Sequence, residues 1–148
     1  MKIKNLLAFA AALLAVVAVK ALIRSSGTAL TIEDSAFASC DVLKTIELPA
    51  YTTAIGASAF ESTPLTAFTI PENVTYLGAK ALKGTKITTI RIPANVITIG
   101  DGAFSNCGSM TSITFAEGDK PLTLGTLENK DNKNGVFYGT KIKTFVVA

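Results

Sequence analysis

The side chains that most often carry covalent or metal chemistry are scarce in this chain. Its 148 residues include no histidine and two cysteines, Cys40 and Cys107. Without histidine there is no Ser–His or Cys–His nucleophile pair and no imidazole ligand for a metal ion. The carboxylates are scattered through the sequence, so no acid–base pair is marked out. Gly78-Ala79-Lys80-Ala81-Leu82-Lys83-Gly84-Thr85 looks at first like a phosphate loop, but its Lys and Gly stand in the wrong order for G-x-x-x-x-G-K-[ST]. Asp131 to Gly135 faintly resembles a calcium loop, yet Lys133 sits where a carboxylate or amide ligand is needed. Phe37-Ala38-Ser39-Cys40 has the outline of a lipoprotein cleavage box, but no apolar core precedes it at the right distance. Asn73-Val74-Thr75 is a glycosylation sequon, which matters only in a eukaryotic secretory pathway. The expectation is a protein that is not an enzyme, with no catalytic residues, cofactor or metal.

What positions these residues is a repeat. Ala36-Phe37, Ala59-Phe60, Ala81-Leu82, Ala103-Phe104 and Val136-Phe137 form one column, with intervals of 23, 22, 22 and 33 residues. A second column follows it: Leu43-x-x-Ile46-x-Leu48, Leu65-x-x-Phe68-x-Ile70, Ile87-x-x-Ile90-x-Ile92, Met110-x-x-Ile113-x-Phe115 and Ile142-x-x-Phe145-x-Val147. Pro49, Pro71 and Pro93 end the first three of these runs, and Ile55-Gly56, Leu77-Gly78, Ile99-Gly100 and Leu124-Gly125 close the units. One rule accounts for the spacing. Cys40 and Cys107 are followed by a two-residue spacer, whereas Thr63, Thr85 and Thr140 are followed by one. The fourth unit carries ten extra residues besides.

Alternating apolar and polar residues suit a half-buried strand, proline stops it, and glycine permits a tight corner. The Ala-Phe segment has room for no more than a short turn or 3₁₀ piece. A unit this small cannot bury its own apolar side, but stacked units can. The predicted fold is a mainly β solenoid of about five stacked rungs of 22–23 residues. A parallel sheet lies on one face, and Phe37, Phe60, Leu82, Phe104 and Phe137 stack inside. Cys40 and Cys107 then sit three rungs apart in one column. At ~4.8 Å per rung they are too far apart for a disulfide, which needs Cα atoms within ~7 Å. They read instead as small turn residues that Thr63, Thr85 and Thr140 replace.

These units resemble the BspA-like class of leucine-rich repeats, A-F-x-x-C-x-x-L-x-x-I-x-L-P followed by V-x-x-I-G. Residues 36 to 49 and 103 to 115 match closely, and the likeness covers roughly 30 to 148. The departures are Ala116 in place of proline, Thr52 at the position of Val74 and Val96, and the interruption of the fourth unit. The resemblance implies an exported, surface-associated leucine-rich-repeat protein that binds partners, in some members as an adhesin. It transfers no individual site residue.

The first segment is read as an export signal. A basic start, Lys2 and Lys4, precedes an unbroken apolar run from Leu6 to Val19, fourteen residues long. That length suits a signal core and is short for a spanning helix of ~20 residues. Two fates stand open: cleavage after Ala21, or retention as an anchor to Ile23 with Lys20 snorkelling. The organisation is therefore an apolar helix over 1–24 as signal or anchor, and a repeat domain over 25–148 with an insertion at about 116–135. The net charge of +3 comes from the leader. Without Lys2, Lys4, Lys20 and Arg24, ten basic residues face eleven acidic ones. A nearly neutral body has no clustered basic face for nucleic acid.

The candidate partner surface is the outward side of the second column together with the insertion. Its residues are Glu47, Thr69, Arg91, Thr114, Glu117, Asp119, Glu128 and Asp131. Thr-rich sheet faces can bind ice, but Glu47, Ala67, Arg91 and Val146 break the lattice. The insertion is also read simply as a solvated hairpin with Asn134-Gly135 at its tip. The expected partner is a protein of the extracellular matrix or cell surface, with membrane contact only through the leader. The alternative is a structural protein that stacks end to end, with Lys141 and Lys143 as edge gatekeepers.

Overall fold

The computed structural model describes residues 29–125 and 135–148. The leader, and most of the 116–135 insertion beyond Gly125, lie outside the described residues. Repeats of nearly constant length bring each segment alongside its equivalent in the next rung, so every extended segment can pair in parallel. Two columns do so. Eight short strands form: β1 (Leu30–Ile32), β2 (Thr52–Ile55), β3 (Tyr76–Leu77), β4 (Thr89–Ile92), β5 (Thr98–Ile99), β6 (Ser112–Phe115), β7 (Thr123–Leu124) and β8 (Thr144–Val147). No described residue is helical.

The expected sheet on the L-x-x-I-x-L column is β4-β6-β8, paired Thr89↔Ser112↔Thr144 through Ile92↔Phe115↔Val147. Along β4, Thr89 and Arg91 are exposed and Ile90 and Ile92 are buried, as alternation requires. The equivalent segments 43–48 and 65–70 do not join this ladder. One cause is visible at the turn. Lys86 and Lys141 donate their N–H groups to Leu65 and Met110 of the preceding rung. The same place in the second rung is Pro64, which has no N–H to give.

A longer sheet, β1-β2-β3-β5-β7, lies on the segments that lead into the glycine corners. Its five strands bracket four complete turns of the solenoid, all paired in parallel, with one register shift between Leu30 and Thr31. The sequence pattern marks these segments only as a second apolar run. Their inward residues Ile55, Leu77 and Ile99 are fully buried.

The interior holds the aromatic column. Phe60, Leu82 and Phe104 are fully buried. Phe37 stacks on Phe60 with ring centroids 5.1 Å apart, and Phe104 on Phe137 at 5.9 Å, both pairs nearly parallel. The backbone beside the rings is laced between rungs: Phe37 donates to Ala59, Phe60 to Ala81, Leu82 to Ala103 and Phe104 to Val136, at 2.8–2.9 Å.

Each Ala-Phe turn is bracketed by left-handed residues. Ser35, Ser39, Ser58, Ser62, Lys80 and Asn106 have φ between 54° and 60°, and Gly84, Gly102 and Gly139 occupy the same two columns. The conformation aims backbone N–H groups at the next rung: Ser35 to Ala57, Ser58 to Ala79, Ser39 to Glu61 and Ser62 to Lys83, each at 2.8 Å. A left-handed non-glycine residue costs roughly 1–2 kcal/mol, and the bonds between rungs offset that. The Thr/Cys column is also satisfied. Thr63 and Thr140 donate their hydroxyls to the carbonyls of Phe60 and Phe137 at 2.9 and 2.8 Å. The Cys107 thiol lies 3.1 Å from the Leu82 carbonyl and 3.3 Å from Thr85 Oγ1. Both cysteines are free, as their separation requires.

Two contrasts test this packing. A Cβ on Gly100 would fall 2.5 Å from the backbone nitrogen of Ala79, whereas one on Gly84 would meet nothing nearer than 3.7 Å and suffer only its φ of +73°. Gly84→Ala should cost ~1 kcal/mol and Gly100→Ala more, ~3 kcal/mol or above. Denaturant midpoints should rank them in that order. Ile90→Ala should cost ~2–5 kcal/mol, while exposed Thr89→Ala stays within ~0.5 kcal/mol. Equal losses would contradict the strand's orientation.

Candidate binding faces

The solenoid offers two outward sheet faces, one over each ladder. On the first, Arg91 is exposed and Thr114 half-buried; Glu47 and Thr69, on the preceding rungs of the same column, are exposed. Arg91 and Thr114 are register partners, followed by Val146 on β8. The ladder thus brings together two of the residues chosen from the sequence, Arg91 and Thr114, while Glu47 and Thr69 stand on the unpaired segments 43–48 and 65–70 of the same column. Arg91 is engaged: its Nη1 lies 2.6 Å from Glu72 Oε1, with both side chains more than half exposed. Glu117 and Asp119 are exposed just beyond β6, and the Glu117 N–H donates to the Ala148 carbonyl at 2.9 Å. Glu128 and Asp131 lie outside the described residues, as does the calcium-like segment up to Asn134.

The second face, over β1-β2-β3-β5-β7, was missed as a surface. Ala54, Tyr76, Thr98 and Thr123 share one row across it. Tyr76 and Ile97 are exposed large apolar side chains. The signal for it was present in Thr75-Tyr76-Leu77 and Ile97-Thr98-Ile99, each of which ends on an inward Leu or Ile. Two-residue strands are too short for a periodicity argument, so only pairing reveals them.

Among the described residues, no cluster of three Cys, Asp or Glu side chains could hold a metal ion. The titratable groups that depart from ordinary behaviour are structural. Burial raises the thiols of Cys107 and Cys40, with Asp41 adding to the effect at Cys40. Glu61 bridges two rungs, its Oε1 2.9 Å from Lys83 Nζ. Burial pushes its pKa up, but hydrogen bonds from Lys83 and Ser58, with the charges of Lys83 and Lys80, outweigh that and hold it below the usual range. The apparent phosphate loop, residues 78–85, is the corner and Ala-Phe turn of the third rung. Its Lys83 is this ion-pair partner, and the Lys80 N–H donates to Asp101.

The profile of the BspA type leucine rich repeat region matches residues 30–148 in six copies. No curated protein and no solved structure matches the chain.

The Glu61–Lys83 pair makes a pH prediction. Because the folded-state pKa of Glu61 is depressed, its stabilisation is present above the unfolded carboxylate range and disappears as pH falls through the folded value. The pair is partly exposed, so the contribution is small, ~0.5–1 kcal/mol. Glu61→Gln should therefore be less stable than the parent at pH 7, and the two should converge in acid. A gap that does not narrow as pH falls would contradict this.

Proposed function

The chain belongs to the BspA-type leucine-rich-repeat family, a class of non-enzymatic, typically surface or secreted scaffolds for protein interaction, and from that premise we propose an exported protein-binding module that works in adhesion. Residues 1–24 act as its export signal or membrane anchor, and the repeat domain meets a protein of the extracellular matrix or of another cell's surface.

The observation that carries this reading is the regular outward face over β4-β6-β8. Its exposed side chains hang from a backbone bonded rung to rung, so little conformational entropy is lost on contact. Arg91 and Thr114 supply polar contacts along it, Glu47 and Thr69 extend them over the preceding rungs of the same column, and the 116–135 segment adds Glu117, Asp119, Glu128 and Asp131. Threonine-rich faces lack large anchors, so affinity builds from many modest contacts rather than one hot spot.

A second reading, end-to-end self-association, is favoured by β8. Phe145 and Val147 are 60 % and 75 % exposed on the last described strand, and Lys141 and Lys143 stand exposed beside it. Stacking of another rung would cover these apolar side chains.

Binding to immobilised matrix and cell-surface proteins tests the first reading. The full chain should be retained by at least one of them, and the double substitution Thr69→Asp, Arg91→Glu should weaken that binding about tenfold, a ~1.4 kcal/mol loss. Retention by none would defeat the adhesion proposal. Retention indifferent to the double substitution would move the contact off this face. Sedimentation equilibrium addresses the second reading, which expects reversible oligomers that Phe145→Lys abolishes.

A further inference from the structure

The outer face of the five-stranded sheet combines two features. Its centre is aromatic and apolar: Tyr76 is 43 % exposed and Ile97, on the next rung, 40 % exposed. The neighbours of Tyr76 in its row are Ala54 and Thr98, which are small, so the ring stands above flat ground. Both side chains hang from fixed backbone. Tyr76 is paired on either side within the ladder, and the Ile97 N–H donates to Thr75 while its carbonyl accepts from Thr123.

The margins of this face are acidic. Glu33, Asp34 and Asp101 lie along the glycine corners, and Glu72, Glu117 and Asp119 in the corners at the opposite edge, which border both sheets; all six are exposed. The described charges of opposite sign there are Lys80, Lys120 and Arg91, whose guanidinium is paired with Glu72. The other column is on balance basic, with Lys44, Lys86, Arg91, Lys141 and Lys143 exposed on its rungs against Asp41 and Glu47. A solenoid that is nearly neutral as a whole is thus polarised across its width.

We propose that the β1-β2-β3-β5-β7 face docks an extended basic polypeptide segment, an apolar side chain of which rests on Tyr76 and Ile97 while lysine or arginine side chains reach the carboxylates on the margins. This deepens the protein-binding reading above and rests on it, but places the contact on the opposite side of the solenoid. The dimensions agree. Five strands at ~4.8 Å span ~19 Å, the length of about six extended residues. A preorganised tyrosine surrounded by small residues is the kind of anchor that dominates interface energetics, and its ring also attracts a cation.

The test uses the full chain and a soluble peptide alternating lysine and leucine, with a glutamate-for-lysine peptide of equal length as the control. Titration calorimetry should detect binding of the lysine peptide alone, weakening as salt is raised. Amide shifts should concentrate at Thr53, Tyr76 and Thr98. Tyr76→Ala should weaken binding at least tenfold while leaving the unfolding temperature nearly unchanged, because the side chain is exposed. Ile97→Thr and Glu33→Lys should each weaken it severalfold, so the result does not depend on one variant. Binding unchanged by Tyr76→Ala, or shifts confined to β4, β6 and β8, would overturn the proposal. The outcomes separate it from the broader reading. A matrix protein whose retention is lost with Arg91→Glu but kept with Tyr76→Ala would leave the adhesion function standing and remove this site.

Discussion

No rung of this protein can bury its apolar side chains alone, and everything else in the structure follows from keeping adjacent rungs in register. Phe60 is fully buried because Phe37 stacks below it and further apolar columns close around it. Many of the bonds that hold the register are backbone bonds from a residue to the one preceding its equivalent in the next rung. They run through two columns of left-handed residues beside each Ala-Phe turn. Repeat length is therefore constrained more tightly than side-chain identity. Serine, lysine, asparagine and glycine all serve in the left-handed columns, while the interval stays at 22 or 23 residues until the interrupted unit.

The same constraint accounts for how polar groups are used. Inside the solenoid they hold corners: Thr52 donates to the Pro49 carbonyl, Thr63 to that of Phe60, and the Cys107 thiol approaches that of Leu82. No buried side-chain nitrogen or oxygen among the described residues lacks a partner. On the outside, Asn73 and Asn95 reach down to the carbonyls of Ala50 and Glu72, each one rung below. Side chains that are spent on neighbouring rungs are poorly placed for chemistry on a substrate. What remains free is surface, fixed in position and repeated along an axis, which is the form in which repeat proteins bind.

Much of the candidate surface was legible before any coordinates. The alternation in Thr89-Ile90-Arg91-Ile92 correctly assigns which residues point outward, because a strand has a period of two and the inward residues are unmistakably apolar. Exposure across a ladder is less legible. Thr114 is half-buried although its pattern matches that of exposed Arg91, since its surroundings depend on neighbours in other rungs. The Arg91–Glu72 pair joins residues nineteen positions apart around a corner, a contact that no local spacing rule contains. The second face was overlooked because its strands are too short to show a period and take their identity from pairing alone.

By itself the sequence determined the repeat, its length rule, the interior aromatic column, the absence of a disulfide and the likeness to one family of repeats. Each of these depends on the order and spacing of residue types along one chain, which translation of a single rung reproduces. Only the tertiary structure decided that there are two ladders rather than one, that Pro64 leaves a gap in the ladder between the first two rungs, and that exposed Lys86, Lys141 and Lys143 gather on the rungs of one sheet. Those are properties of neighbouring rungs taken together. A hydrogen bond or a charged face between rungs joins residues about two dozen positions apart, and its existence depends on how the backbone curves between them.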